Sequence, residues 1–166
     1  MSEQSAIEWT EATWNPVRGC TKVSPGCKHC YAETFAERFR GVPNHPFEQG
    51  FDLRLVPEAL LLPLRWKRGR FIFVNSMSDF FHENAKDEWR LEALDVIQQC
   101  QKLGHRFQIL TKRPEAVAPF LDRSGISRFP DNVWLGVTVE REDYRFRVDI
   151  LRTLPAKVRF ISAEPL

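Results

Sequence analysis

Short apolar runs recur along this chain, and each is followed by a stretch with helical spacing. The runs are residues 71–74 (Phe-Ile-Phe-Val), 107–110 (Phe-Gln-Ile-Leu), 133–139 and 158–162. Between them, 88–103 reads as a helix stopped by Gly104, Pro114 opens a helix to about Leu121, and 142–154 reads as a third. Alternation of this kind argues for parallel strands joined by right-handed crossovers, because two parallel strands cannot be joined by a tight turn. Runs that are apolar throughout suit strands covered by helices. A looser pattern at 7–14, with Ile7, Trp9 and Trp14, suggests a first strand near 7–10. The pattern leaves two architectures open, a flat doubly wound sheet and a barrel.

Length then bears on the choice. The chain has 166 residues, the size of one domain, whereas a complete eight-stranded barrel takes roughly 250. Thirteen Phe and five Trp can bury a large apolar area, which argues against disorder. Lys plus Arg is 24 and Asp plus Glu 22, a net charge of +2. That is too mild to imply a nucleic-acid partner by itself. The longest candidate apolar stretch, 59–64, is far short of the roughly 20 residues that span a bilayer. Residues 1–8 lack a basic region followed by an apolar one, so no secretory signal is read and a cytoplasmic protein with no membrane partner is expected.

Three of the four cysteines crowd into one loop, as Cys20, Cys27 and Cys30 in a C-x6-C-x2-C pattern. Three clustered thiols pair badly as disulfides, and soft thiolates suit iron–sulfur clusters and zinc alike. Three thiolates can hold three irons of a [4Fe–4S] cluster and leave the fourth iron open to a small molecule. Structural zinc wants four closed ligands, and His45 or, less readily, His29 would complete the set. The plain alternative is three unligated thiols. Gly19 and Gly26 each precede a cysteine and allow a tight curl, while Arg18, Lys22 and Lys28 would offset a cluster's negative charge. The loop follows the first strand and precedes the helix expected at 31–40, the position where parallel α/β folds bind ligands. That placement favours the cluster.

Ile7-Glu8-Trp9-Thr10, Ala12-Thr13-Trp14-Asn15-Pro16 and the cysteine loop through Tyr31-Ala32-Glu33 resemble the phage-associated three-cysteine-motif proteins. These form a domain-of-unknown-function family of phages and bacteria. The resemblance continues through Asn75-Ser76-Met77-Ser78-Asp79, Leu110-Thr111-Lys112-Arg113-Pro114, Trp134-Leu135-Gly136-Val137-Thr138 and Ile161-Ser162-Ala163-Glu164-Pro165. That family is similar to radical S-adenosylmethionine (SAM) enzymes, and among them to the spore photoproduct lyase-like branch. The first cysteine gap here is longer than the C-x3-C-x2-C common in that superfamily, and His29 fills a position usually held by an aromatic residue. The resemblance implies a barrel-type fold, a [4Fe–4S] cluster on Cys20, Cys27 and Cys30, and SAM at the open iron.

The expected carboxyl ends of the strands all carry polar groups, as a barrel-top site requires. These are Asn75, Ser76, Ser78 and Asp79; Thr111, Lys112 and Arg113; Thr138 and Glu140; Ser162 and Glu164. By resemblance, Asn75, Ser76, Ser78 and Asp79 would hold the SAM amino group. Thr138 or Glu140 would bond the ribose hydroxyls, and Lys112 or Arg113 would pair with the SAM carboxylate or a substrate phosphate. Glu164 and Arg113 are candidate substrate contacts. The plain alternative for each is a helix cap or a solvated loop charge. Cys100 falls on the apolar face of the 88–103 helix and reads as a small core residue, and Phe80-Phe81-His82 reads as core packing or pocket wall. Arg65, Lys67, Arg68 and Arg70 flank Trp66, a combination that reads as a solvated basic end or a nucleic-acid contact.

The expectation is a single domain over 1–166, a partial TIM-like barrel of about five parallel strands. It is read as C-terminally truncated, with an open edge that a protein partner would cover. The expected activity is radical SAM-like chemistry on an unknown substrate. The alternative is a non-catalytic phage-associated module holding zinc or a cluster.

Overall fold

The computed structural model describes residues 7–164. In chain order the elements are β1 (Ala12–Trp14), β2 (Val17–Arg18), α1 (Tyr31–Glu37), β3 (Arg54–Leu55), α2 (Pro57–Leu60) and β4 (Phe71–Val74). They continue with α3 (Asp87–Gln99), β5 (Arg106–Thr111), α4 (Val117–Ser124), β6 (Val133–Thr138), α5 (Phe146–Thr153) and β7 (Val158–Ser162). Short 3₁₀ turns precede α4 and α5, and another follows α3.

Among the described residues, five strands form one parallel sheet in the order β1-β4-β5-β6-β7. The order follows the chain without reversing. Right-handed crossovers between strands laid down in one direction put every helix on the same face. The sheet is therefore singly wound, which removes the doubly wound alternative. It is also open, with β1 and β7 at its edges, so the five parallel strands expected from the sequence are present in a sheet that is not closed. The register shows the two faces. Ala12, Ile72, Phe107 and Val133 share one row, and Trp14, Val74, Ile109 and Leu135 the next. All eight belong to the main core, packed with Ala93, Ile97, Val117, Phe120 and Leu151 of the helices.

The opposite face carries Phe73, Gln108 and Trp134 in one row and Leu110, Gly136 and Phe160 in another. The loop before β1 covers part of it. Trp9 packs on Phe73 at 4.8 Å and lies 6.4 Å from Phe160, and its carbonyl accepts from Gln108 Nε2 at 3.2 Å. This accounts for a misplaced expectation: residues 7–10 form a turn and loop, and the first strand is Ala12–Trp14. Trp9 faces the sheet from outside the ladder.

The Pro-rich, basic segment 41–69 reads from sequence as an irregular connection with one helical turn; the turn is α2, and β3 is an addition. β3 pairs antiparallel with β2, Val56 N donates to the Pro16 carbonyl at 2.7 Å, and Trp14 Nε1 donates to the Ala59 carbonyl at 2.8 Å.

Candidate functional site

The cysteine loop is tied to the carboxyl end of β4. Gly19 N donates to the Met77 carbonyl at 2.9 Å, and Ser78 Oγ donates to the Gly19 carbonyl at 2.7 Å. Gly19 has φ +86°, and a Cβ there would lie 2.3 Å from the Asp52 carbonyl oxygen. Only glycine allows both the left-handed turn and that approach. Cys20 is thereby held against the sheet. Cys27 ends a short 3₁₀ turn, Pro25–Cys27, and Cys30 caps α1, its carbonyl accepting from Thr34 N and Thr34 Oγ1, both at 3.0 Å.

The three thiols are half-buried, free of disulfides, and line one cavity of about 550 Å³. His29 and Tyr31 lie in the same wall. Trp9, Phe73 and Leu110 supply apolar surface from the open face of the sheet. Among the described residues, no group of three or more His, Cys, Asp or Glu side chains converges on a point where a single ion could sit. His45 is outside this lining: its ring stacks on Phe39 at 3.8 Å and its Nδ1 accepts from Phe47 N at 3.1 Å. Of the two histidines considered as a fourth zinc ligand, His29 is the one beside the thiols.

The rim residues expected from the sequence come together here. Asn75, Ser76, Ser78, Asp79, Lys112, Arg113, Thr138 and Glu164 all line the cavity. Several are already engaged within the fold. Asp79 is 6 % exposed, and its carboxylate accepts from Phe81 N, Thr111 Oγ1, Lys112 N and Arg113 Nη1 at 2.7–3.3 Å. Ser76 Oγ and Met77 N bond to the Asn15 side chain, and the Ser76 carbonyl accepts from Tyr31 Oη at 2.6 Å. Glu140 is not in the lining. It pairs with Arg147 at 2.7 Å, both side chains 2 % exposed, and its Oε1 has no hydrogen-bond partner.

Arg113, which the sequence offered as a contact to the SAM carboxylate or the substrate, lines the cavity with its guanidinium bonded inside the fold. Its guanidinium donates from Nε to Glu83 Oε2 at 2.7 Å, and from Nη2 to the Thr21 carbonyl and Oγ1, both at 2.9 Å. Nη1 donates to Asp79 at 3.3 Å and to Cys20 Sγ at 3.5 Å. These bonds leave the group little capacity for a ligand. It joins the cysteine loop to the carboxyl ends of β4 and β5. Burial would lower its pKa, but Asp79 and Cys20 together raise it. Burial pushes the Cys20 thiol up to about 11, helped by Asp79 and opposed by Arg113. Buried His82 closes the network, with Nε2 3.0 Å from Thr21 Oγ1; burial and then Arg113 lower its pKa.

Thr21, Glu83, Tyr31 and Trp9 were missed as site residues. The partners of Arg113 lie 30 to 93 positions away in sequence, and no local pattern marks them. Tyr31 carried a signal, since it directly follows the third cysteine.

Fold and site together define a class: a singly wound α/β chain with a thiol-lined cavity at the carboxyl ends of its strands. The chain belongs to the family described as "Protein of unknown function (DUF5131)", whose profile matches residues 4–166. Neither the search of curated proteins nor that of solved structures returned a match.

Proposed function

We propose that the chain is a radical SAM-like iron–sulfur enzyme, with the cluster on Cys20, Cys27 and Cys30 and SAM and substrate in the adjoining cavity. The observation that carries the reading is the placement of three half-buried thiols in the wall of one cavity at the strand ends. The donor set suits the group: three soft sulfur ligands line one wall of the cavity. When bound, the cluster would supply the electron that splits SAM and starts radical chemistry.

The chain's own residues do the rest. Cys20, Cys27 and Cys30 are the ligands. Arg113 donates a charge-assisted hydrogen bond to Cys20 Sγ, fixing that sulfur and offsetting negative charge as the thiolate forms. Trp9, Phe73 and Leu110 give the cavity apolar walls that limit water around a reactive species. Lys112 and Glu164 supply charge of both signs for a zwitterionic cofactor or a polar substrate. Asn75, Ser76, Ser78, Asp79 and Thr138 shape the rim, and Glu140 stands behind it with an unused acceptor beside Gly26. A cytoplasmic location and a phage association belong to the same proposal.

The test is dithionite-driven release of 5′-deoxyadenosine from SAM by protein reconstituted with iron and sulfide. Release that disappears in Cys27→Ala supports the reading. Release that persists in that variant would remove the cysteine role. His29 in the cavity wall favours one other reading, a zinc-holding module without catalysis. One zinc per chain with no SAM cleavage would select it.

A further inference from the structure

The basic run 65–70 lies at the opposite end of the sheet from the cavity. Arg65, Lys67 and Arg68 are exposed and lead into the amino end of β4. A second stretch carries Lys102 on the 3₁₀ turn after α3 and Arg106 as the first residue of β5, and is docked against the first. Arg106 N donates to the Arg70 carbonyl at 2.9 Å, and Arg70 N donates to His105 Nδ1 at 3.1 Å. A Cβ on Gly69 would lie 2.8 Å from the Gly104 carbonyl oxygen, so the two loops touch through backbone. Five exposed cations thus share one end of a chain whose net charge is only +2. Of the acids at this end, Asp131 pairs with Arg128 and Lys157, while Glu11 accepts from Phe71 N.

The other half of the feature is a pocket of about 300 Å³ beside these loops, lined by Gln101, His105, Arg106, Asp131, Asn132 and Trp134. Trp134 is half-buried on the open face of the sheet, edge-on to Phe71 at 5.0 Å, and Arg106 lies 5.1 Å over Phe71. Asn132 donates Nδ2 to the Ile97 and His105 carbonyls, and its buried Oδ1 has no hydrogen-bond partner. Trp66 is 4 % exposed and buried in the main core, so the aromatic residue within the basic run is not the one that meets a ligand.

We propose that the amino-terminal end of the sheet binds single-stranded nucleic acid. The two basic loops would follow the phosphates, and the Trp134 pocket would take a base. Cations beside an aromatic pocket with amide groups match a polyanion that carries planar, hydrogen-bonding units. An acidic peptide would use the cations and leave the pocket idle. Binding here is independent of the cysteines, so it stands or falls separately from the radical SAM reading.

The experiment is fluorescence anisotropy of a labelled 20-nucleotide single-stranded DNA with the full chain, repeated across a salt series. Five phosphate contacts predict that log K falls with log salt with a slope of about −3.5. In Arg65→Ala/Lys67→Ala/Arg68→Ala the slope should shrink by about 2. Trp134→Phe should weaken binding about tenfold while leaving the slope unchanged. The control, Arg141→Ala/Arg145→Ala/Arg152→Ala, removes equal charge elsewhere and should bind nearly as well as the parent. Thermal melting confirms that each variant is folded. No binding by the parent chain at low salt, equal loss in both triple variants, or equally tight binding of polyglutamate would overturn the proposal.

Discussion

The two ends of the parallel sheet handle charge in opposite ways. At the carboxyl ends, Arg113 and Arg147 are buried and held by Asp79, Glu83 and Glu140. At the amino ends, Arg65, Lys67, Arg68, Lys102 and Arg106 stand in water. Taking a guanidinium out of water is costly, and the cost is offset only by full pairing. At the carboxyl end Arg113 meets it and fixes a loop that carries three thiols. The amino end leaves its cations solvated, and solvated cations are available to a partner. One end is built for position and the other for contact.

The comparison breaks most severely at Asp79. Asp79→Ala would strand Arg113, Thr111 Oγ1 and the Lys112 amide, and should cost about 3–5 kcal/mol, the range for breaking a buried pair. Chemical denaturation measures it. A loss below about 1 kcal/mol would mean that the network is not what secures the rim.

At the other end, Gly69→Ala should cost about 1–3 kcal/mol, because its Cβ meets the Gly104 backbone and must part the two basic loops. The same variant should weaken DNA binding. Unchanged stability and binding would separate the loops from the proposed surface.

Each end also holds a buried histidine, His82 at the carboxyl end and His105 at the amino end. Burial lowers both pKa values below 6.5; Arg113 is the next cause for His82, while hydrogen bonds to backbone oppose the shift for His105. A depressed folded pKa means that the unfolded chain takes up protons first as pH falls. Stability contributed by the neutral rings is therefore present above pH 6.5 and is lost as pH drops through the folded values. The melting midpoint should decline between pH 7 and 5, by roughly 2–4 °C per kcal/mol lost. His82→Gln and His105→Gln should each flatten the decline, and a decline unchanged in both would assign it elsewhere.

The smallest expected effect is on stability in Lys67→Ala, within about 0.5 kcal/mol, since the side chain is exposed. A larger loss would show that these cations serve the fold.

Much of the sheet was legible in the sequence because its strands are continuous apolar runs. Residues 158–162 coincide with β7, and 71–74 with β4. β1 was placed too early because Trp9 looks like a strand residue and instead packs on Phe73 from a loop. β3 was not read, and α2 was expected only as a single unplaced helical turn within 41–69, since the two are two and four residues long and held by partners distant in sequence. The singly wound order could not be read from the chain, because the same alternation serves both architectures. At the site, the spacing of the cysteines was plain, and the cavity lining gathers seven of the eight residues assigned to SAM and Glu164, with Glu140 set behind it. The role of Arg113 was hidden, because it depends on Cys20 and Thr21, 93 and 92 residues away.

The central claim is that the cysteine-lined end holds an iron–sulfur cluster. It is tested most directly by anaerobic reconstitution with iron and sulfide, followed by metal and sulfide analysis and an absorption spectrum. The account predicts about four irons and four sulfides per chain, with broad absorbance near about 400 nm, all lost when Cys20, Cys27 and Cys30 are replaced by alanine. A colourless protein holding a single zinc, or iron retained by the triple variant, would contradict it.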